Sequence, residues 1–212
     1  SINDLLLPIV KGVGSERSYE MLTQSLQTLG GSGYLQDYPI EQYIRDAKID
    51  TLYEGTTAIQ AMDFYFRKIV RNNNVALTTV LDEVNKLIMD NPTHLPQVRG
   101  DLENAVAAIQ KMVEDMATWL GGSFETPEKI YLVGLNTTRL LYAFGDMLTG
   151  FMLLWQADVA AKELENPDSE YSQKYLNGKA YTAQFYSENI LAKIPAELTC
   201  LQQTTLAAMD IP

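Results

Sequence analysis

Apolar residues recur at helical spacing along almost the whole chain, and this periodicity constrains the fold more than any other feature. No stretch of more than a few residues shows the strict alternation of apolar and polar side chains that a half-buried strand requires. The sequence therefore predicts an all-α protein built as an antiparallel helical bundle. The predicted helices comprise one that ends at Leu29, others near 40–46, 57–71, 77–88, 102–120, 126–165 and 170–190, and shorter pieces between 196 and 209.

The clearest break in composition is the run of three asparagines at 72–74. Successive asparagines favour turn conformations over helix. The sequence therefore predicts two domains, 1–72 and 73–212. Within the first, Gly30, Gly31 and Gly33 follow a helical pattern instead of a strand, which favours a helix-ending turn over a dinucleotide-binding loop.

The charge and the cysteine content of the chain argue against several classes of function. Acidic residues outnumber basic ones by 27 to 16, so no general field attracts phosphate backbones or anionic lipid, and nucleic acid is not an expected partner. The apolar stretch 130–161 is interrupted by charged residues, so we expect no membrane span. The single cysteine, Cys200, excludes an intrachain disulfide and is expected to be a small buried hydrophobe. With no readable secretory signal, a cytoplasmic setting is predicted.

Few residues offer general-base or metal chemistry. His94 is the only histidine, and its place between two prolines predicts a solvated residue in a surface loop. Asp46, Asp50 and Glu54 are spaced by four, which on one continuous helix would align three carboxylates. Because no histidine or second acidic motif completes the shell, we expect a solvated face and no metal.

Four short runs stand in a fixed order between residues 27 and 57. They are Gln27–Tyr34 (QTLGGSGY), Tyr38–Glu41 (YPIE), Arg45–Ile49 (RDAKI) and Tyr53–Thr57 (YEGTT). In this order and at these intervals, they resemble the acyl-CoA dehydrogenase family. The strong match covers about 8–71, and the helical remainder resembles the extension found in the larger members of that family.

The resemblance implies a flavin enzyme of fatty acid β-oxidation. Such enzymes remove the α-proton of an acyl-CoA with a carboxylate base while the β-hydrogen leaves as hydride to N5 of FAD, producing a trans-2-enoyl-CoA. Glu54 matches the base, and the loop before a helix suits it, because such a loop aims a side chain into a cleft where desolvation raises the carboxylate pKa. The backbone N–H of Glu54, with a flavin ribityl hydroxyl, would donate to the thioester carbonyl. Gly55 would let acyl chain and flavin approach closely, and Tyr53 would line the substrate cleft.

The same resemblance implies cofactor contacts. Thr56 is expected to touch the flavin, and Gln27 with Gly31 to approach the adenine-dinucleotide portion of an FAD held mainly by a neighbouring subunit. A homo-oligomer is therefore expected. Ala58 departs from the family pattern, since many relatives carry a polar residue there that helps to hold the flavin.

The family also has an N-terminal helical domain and a middle β-domain, which supply most FAD and CoA contacts and do not appear in this sequence. We therefore expect a fragment of a longer enzyme, inactive alone, whose intact form passes electrons to an acceptor such as electron-transfer flavoprotein. Two alternatives remain open. The chain could be a non-catalytic helical interaction or oligomerisation module, or part of an acyl-CoA oxidase.

Overall fold

The computed structural model describes residues 1–211, and within that range the chain is helical with no β-strand. The all-α prediction is confirmed. The α-helices are α1 (Ile2–Gln27), α2 (Ile40–Ile49), α3 (Thr57–Met62), α4 (Val75–Asp90), α5 (Pro96–Gly122), α6 (Lys129–Leu164), α7 (Gln173–Asn189) and α8 (Ile194–Gln202). A π-helical segment covers Asp63–Val70, and 3-10 turns cover Gly30–Tyr34, Leu191–Lys193 and Leu206–Asp210.

The chain folds into two compact units, unit 1 (Ser1–Ala76) and unit 2 (from Leu77 onward). The division follows the three asparagines, where Asn73 and Asn74 have φ angles of 49° and 61°. Asparagine tolerates this left-handed conformation better than most residues, which is why the chain turns here. The domain limits 1–72 and 73–212 stay a prediction.

Unit 1 is organised around α1, which packs against α2 and α3. The hydroxyl of Ser1 caps α1 by accepting from the backbone N–H of Asp4 at 3.3 Å. Residues at helical spacing place one apolar stripe of α1 in the core, together with side chains of α3 and the π-helical segment. The buried core of unit 1 contains Leu5, Ile9, Val13, Ala61, Phe64, Tyr65 and Ile69.

The predicted helix over 57–71 occurs with a change of form. It begins as α3 and continues through Asp63–Val70 with the wider π-helical hydrogen bonding. Periodicity does not distinguish the two forms, because both place apolar side chains on one broad face. π-Helical turns are rare and cluster near functional sites, and this one follows the predicted base by nine residues.

Unit 2 is a helical bundle in which α6 packs against α5 and α7, and α8 packs against α5 and α6. Helix α6 begins at Lys129, later than the predicted start at Thr126 and Pro127, because residues 126–128 form a turn that precedes the helix. Its inner face contributes Leu140, Phe144 and Met147, among others, to the buried core. Among residues 1–211, none of the helices has the length and apolar character that crossing a bilayer requires.

His94 is not simply solvated, and that prediction was wrong. Its Nδ1 lies 2.7 Å from Oδ1 of Asp158 on α6, and its side chain is 26% exposed. Both Asp158 oxygens also accept from Nη2 of the buried Arg99 at 2.6 Å, while the Arg99 Nε donates to the His94 carbonyl. The partners are about sixty residues apart in sequence, so local composition gives no sign of this cluster.

Cys200 is exposed on α8, and the prediction of a buried cysteine was also wrong. Helix α8 turns Ile194 and Leu201 into the core. Adjacent helical residues point about 100° apart, so the residue before Leu201 faces away from the core. The apolar neighbours of Cys200 in sequence therefore do not bury it.

Candidate functional site

Four of the predicted site residues lie together in the connection between α2 and α3. Tyr53, Glu54, Gly55 and Thr56 are consecutive there, and the Tyr53 and Glu54 side chains are exposed in unit 1. Helix α3 begins immediately after Thr56. This connection, residues 53–57, is called the Glu54 loop below.

Gln27 and Gly31 are not part of this cluster. Gln27 is the last residue of α1, and Gly31 lies in the 3-10 turn that follows it. Glu16, one of two α1 residues that bond to the Glu54 loop, precedes Gln27 by eleven positions, which is about 16 Å along the helix axis. Both Gln27 and Gly31 are exposed. The structure therefore separates the residues predicted for the adenine end of the cofactor from those predicted for the chemistry.

The backbone of the Glu54 loop has two successive positive φ angles, 56° at Glu54 and 92° at Gly55. A left-handed conformation costs a non-glycine residue roughly 1–2 kcal/mol, because Cβ approaches the following carbonyl oxygen. At position 55 a Cβ would also lie 3.1 Å from Cγ2 of Ile59. Glycine is therefore required at 55, whereas Glu54 keeps its side chain despite the strain.

Both carbonyl groups of this strained pair are held by side chains. The Lys11 ammonium on α1 donates a short hydrogen bond to the Gly55 carbonyl. The Gln60 side-chain amide on α3 donates to the Glu54 carbonyl at 2.8 Å. Strained backbone persists when surrounding groups fix it, and these two hydrogen bonds do so here.

A third contact joins the end of the loop to α1. The Thr57 hydroxyl donates to Oε1 of Glu16 at 2.6 Å, and Thr57 is buried. Sequence reasoning did not single out Lys11, Glu16 or Gln60. The available signal was that Glu16 continues the inward stripe formed by Leu5 and Ile9, where a charged residue needs a partner.

The carboxylate and the backbone N–H of Glu54, unlike its carbonyl, have no hydrogen-bond or ion-pair partner within residues 1–211. The adjacent Tyr53 phenol is influenced by the Asp50 carboxylate, which raises the Tyr53 pKa through its charge and a hydrogen bond. The loop therefore presents an unpaired carboxylate and an unpaired amide N–H side by side.

Thr56 occupies the N-cap position of α3, but its hydroxyl does not bond to the helix. The Thr56 hydroxyl and the Gln27 side-chain amide are both exposed, and neither has a hydrogen-bond partner within residues 1–211. Ala58, two residues after Thr56, is exposed and offers no polar group. The roles assigned to Thr56 and Gln27 stay predictions.

The three acidic residues spaced by four do not share one helical face. Asp46 lies on α2, Asp50 ends it, and Glu54 lies in the loop beyond. In the part of the chain that the structure describes, no three His, Cys, Asp or Glu residues converge in the manner of a metal site. The carboxylates of Asp46, Asp50 and Glu54 therefore do not form one cluster.

Comparison with known families agrees with the fold and the sequence motifs. Residues 4–67 match the C-terminal domain of acyl-CoA dehydrogenase, and residues 80–212 match the family described as acetyl-CoA dehydrogenase C-terminal like. The second match alone covers more than half of the chain. The chain therefore belongs to the acyl-CoA dehydrogenase family, as its helical C-terminal part, and the resemblance is confirmed.

Individual relatives carry more particular names. A broad-specificity linear acyl-CoA dehydrogenase of Mycobacterium tuberculosis is 47% identical over 192 residues, covering 90% of this chain and 31% of that protein. A butyryl-CoA dehydrogenase of Syntrophomonas wolfei is 28% identical over 209 residues, covering 97% and 33%. A 3-methylmercaptopropionyl-CoA dehydrogenase of Ruegeria pomeroyi is 27% identical over 216 residues, covering 96% and 34%. The chain thus spans about a third of the length of these relatives.

Proposed function

We propose that this chain is the C-terminal part of an FAD-dependent acyl-CoA dehydrogenase and that Glu54 is the base that removes the α-proton of the acyl-CoA. The observation that carries the proposal is the open carboxylate of Glu54, held on a strained loop at the start of α3. This loop lies inside the segment that matches the acyl-CoA dehydrogenase C-terminal domain. A side chain kept in an unfavourable backbone conformation without a structural partner points to a role outside folding.

The chemistry requires a base and a donor at neighbouring positions. The Glu54 carboxylate would take the proton from the α-carbon, which is acidified by the thioester carbonyl. The adjacent backbone N–H of Glu54 would donate to the carbonyl oxygen as negative charge develops there. FAD, when bound, would accept the hydride that leaves the β-carbon. Closure of the site by the rest of the protein would remove water from around the Glu54 carboxylate.

The exposed polar groups of unit 1 fit a role in holding FAD. The hydroxyl of Thr56 and the amide of Gln27 are unpaired within residues 1–211, so each is available to a ligand. At Gly31 a Cβ would meet nothing within 4 Å, so the turn leaves open space beside its backbone. Thr56 would contact the flavin, and Gln27 with Gly31 the adenine dinucleotide. Their separation along α1 agrees with an FAD shared between subunits of a homo-oligomer.

The remaining assignments concern the intact protein. Most FAD and CoA contacts would come from regions outside these 212 residues, so we expect the chain alone to have no dehydrogenase activity. The acceptor would be a protein such as electron-transfer flavoprotein, and the setting cytoplasmic. The substrate would be a fatty acyl-CoA, with Tyr53 lining its cleft and Gly55 leaving room for the acyl chain.

The test is substitution of Glu54 in the intact flavoprotein. Glu54→Gln preserves size and polarity but removes the basic oxygen, so acyl-CoA-dependent dye reduction should fall by at least about a hundredfold while bound FAD is unchanged. Glu20→Gln is the matched control, because Glu20 is an exposed residue of unit 1 that pairs with the nearby Arg17 on the same helix. Unchanged activity in Glu54→Gln would reject the proposal and favour a non-catalytic helical module. Peroxide release by the parent protein would instead identify an oxidase.

A further inference from the structure

We propose that Lys11 is a positioning residue for catalysis, which helps to fix the position of Glu54 by holding, from α1, the peptide group that follows Gly55. This inference rests on the proposed role of Glu54 as the base. Lys11 is half-buried, and its ammonium donates to the Gly55 carbonyl across 44 positions of sequence. The contact is therefore a tertiary one, formed only when the middle of α1 packs against the Glu54 loop.

The geometry explains why a carbonyl contact governs a side chain. A peptide group is planar, so fixing the Gly55 carbonyl fixes the plane that follows Gly55, and the Gln60 amide fixes the plane that follows Glu54. The two held planes lie on either side of Gly55, so they leave little rotation about the Gly55 backbone and fix the Glu54–Gly55 peptide group relative to α1. This fixes the position of the Glu54 Cα, from which both the side chain and the N–H of the proposed base and donor extend.

Lys11 and Gln60, the two side chains that hold these carbonyls, belong to different helices. Gln60 belongs to α3, the helix that the loop itself begins, so it moves with the loop. Lys11 belongs to α1, where the neighbouring Gly12 and Val13 are buried in the core of unit 1. Its contact therefore ties the loop to a separate rigid helix. The Thr57 hydroxyl makes the only other tie of this kind found within the loop, to Glu16 on the same helix.

The ammonium of Lys11 is also uncommitted to any ion pair within residues 1–211. A half-buried lysine without a carboxylate partner bears a desolvation cost that a surface lysine avoids. A hydrogen bond from a charged donor is stronger than one from a neutral donor, which suits a contact that must hold a strained backbone. Stability alone would be served as well by a neutral side chain at position 11.

The experiment compares Lys11→Met with Lys68→Met in the intact flavoprotein. Methionine keeps an unbranched apolar stem and removes the donor. Lys68 is the matched control, because it is also a half-buried lysine of unit 1 that bonds to α1, at Asp4 and away from the Glu54 loop. Both variants lose one positive charge and one hydrogen bond between α1 and a later segment of unit 1, and Lys68→Met also loses the ion pair with Asp63. Only Lys11→Met releases the Gly55 carbonyl.

We expect Lys11→Met to lower kcat by about ten- to a hundredfold, the effect of a small misplacement of a catalytic group, with KM and bound FAD unchanged. The isotope effect on kcat with α-deuterated acyl-CoA should rise, because proton abstraction becomes slower than the other steps. Lys68→Met should lower the denaturation midpoint but leave kcat and the isotope effect at parent values. Thr57→Val keeps the side-chain volume but removes the other hydrogen bond between the loop and α1, so it should also lower kcat. It provides the test if Lys11→Met fails to fold.

Two results would overturn the inference. One is parent-like kcat and isotope effect in Lys11→Met, or in Thr57→Val if Lys11→Met does not fold. The other is an equal loss of kcat in Lys11→Met and Lys68→Met, which would mean general loosening of unit 1. Glu54→Gln in the same assay separates the two proposals. An inactive Glu54→Gln beside a fully active Lys11→Met rejects only the positioning role, whereas an active Glu54→Gln rejects the function itself.

Discussion

Replacing Arg99 with methionine would remove one half of the buried ion pair in unit 2. The Arg99 side chain is 4% exposed and that of Asp158 is 10% exposed, with 2.6 Å between nitrogen and oxygen. Methionine keeps the apolar stem but leaves the Asp158 charge with His94 as its only partner. The carbonyls of Leu87 and Ile88, in the last turn of α4, lose the guanidinium donor as well.

The expected loss is about 3–5 kcal/mol in the free energy of unfolding of unit 2, the range found when one partner of a buried pair is removed. A domain has a total stability of about 5–15 kcal/mol, so this loss would lower the denaturation midpoint severely. The double variant Arg99→Met/Asp158→Leu is the matched control. It removes both charges and should recover much of the loss, because no uncompensated charge stays buried.

Tryptophan fluorescence during urea denaturation is the appropriate assay. Both tryptophans, Trp119 and Trp155, belong to unit 2, so the signal follows that unit alone. A loss for Arg99→Met smaller than about 1 kcal/mol, the size typical of an exposed ion pair, would refute the reasoning. So would a double variant as unstable as the single one.

Two further variants test buried or partly buried groups. The Tyr65 hydroxyl is buried without a hydrogen-bond partner among residues 1–211, and burial raises the Tyr65 pKa to about 12. Tyr65→Phe should leave the unfolding free energy of unit 1 unchanged or raise it by up to about 1 kcal/mol. It should also abolish the loss of stability expected for the parent protein as pH rises from 10 to 12. Amide hydrogen exchange in unit 1 measures both effects. Burial raises the Asp115 pKa, but hydrogen bonds from Lys111 and Gln202 outweigh this effect and hold that pKa below its usual 3.8. The ionised Asp115 therefore stabilises the fold above pH 3.8, and this contribution is lost as pH falls through the lowered pKa. Asp115→Asn should lower the urea midpoint, followed by tryptophan fluorescence, at pH 7 but not in strong acid.

Helical periodicity and chain breaks were sufficient to predict the architecture. Glycines mark the end of the predicted helix at 102–120, and α5 ends at Gly122 because glycine stabilises a helical conformation poorly. The asparagines at 72–74 turn the chain just before α4 begins at Val75. These signals are local, so a sequence alone carries them. The exact start of α6 and the π-helical form of Asp63–Val70 depend on competing hydrogen-bond patterns that the same residues satisfy almost equally well.

The candidate site could be placed from sequence but not described from it. The string Tyr53–Thr57 gave the location of the loop through its resemblance to a family. The left-handed backbone of Glu54 was not foreseeable, because glutamate has no preference for it. Lys11 was also missed, since its partner is 44 residues away and its role depends on how α1 packs. Contacts of this range are products of the whole unit, as is the ion pair that holds His94.

The φ angle at position 54 lowers the stability of the fold, and it occurs at the residue that we propose as the catalytic base. A φ of 56° would be adopted without cost by glycine and with little cost by asparagine, and either would make the loop easier to form. A protein selected only for stability would therefore not carry glutamate at this position. Under the proposed role of Glu54 as the base, the strained backbone holds the reactive carboxylate in place before substrate binds, at a cost in the stability of unit 1.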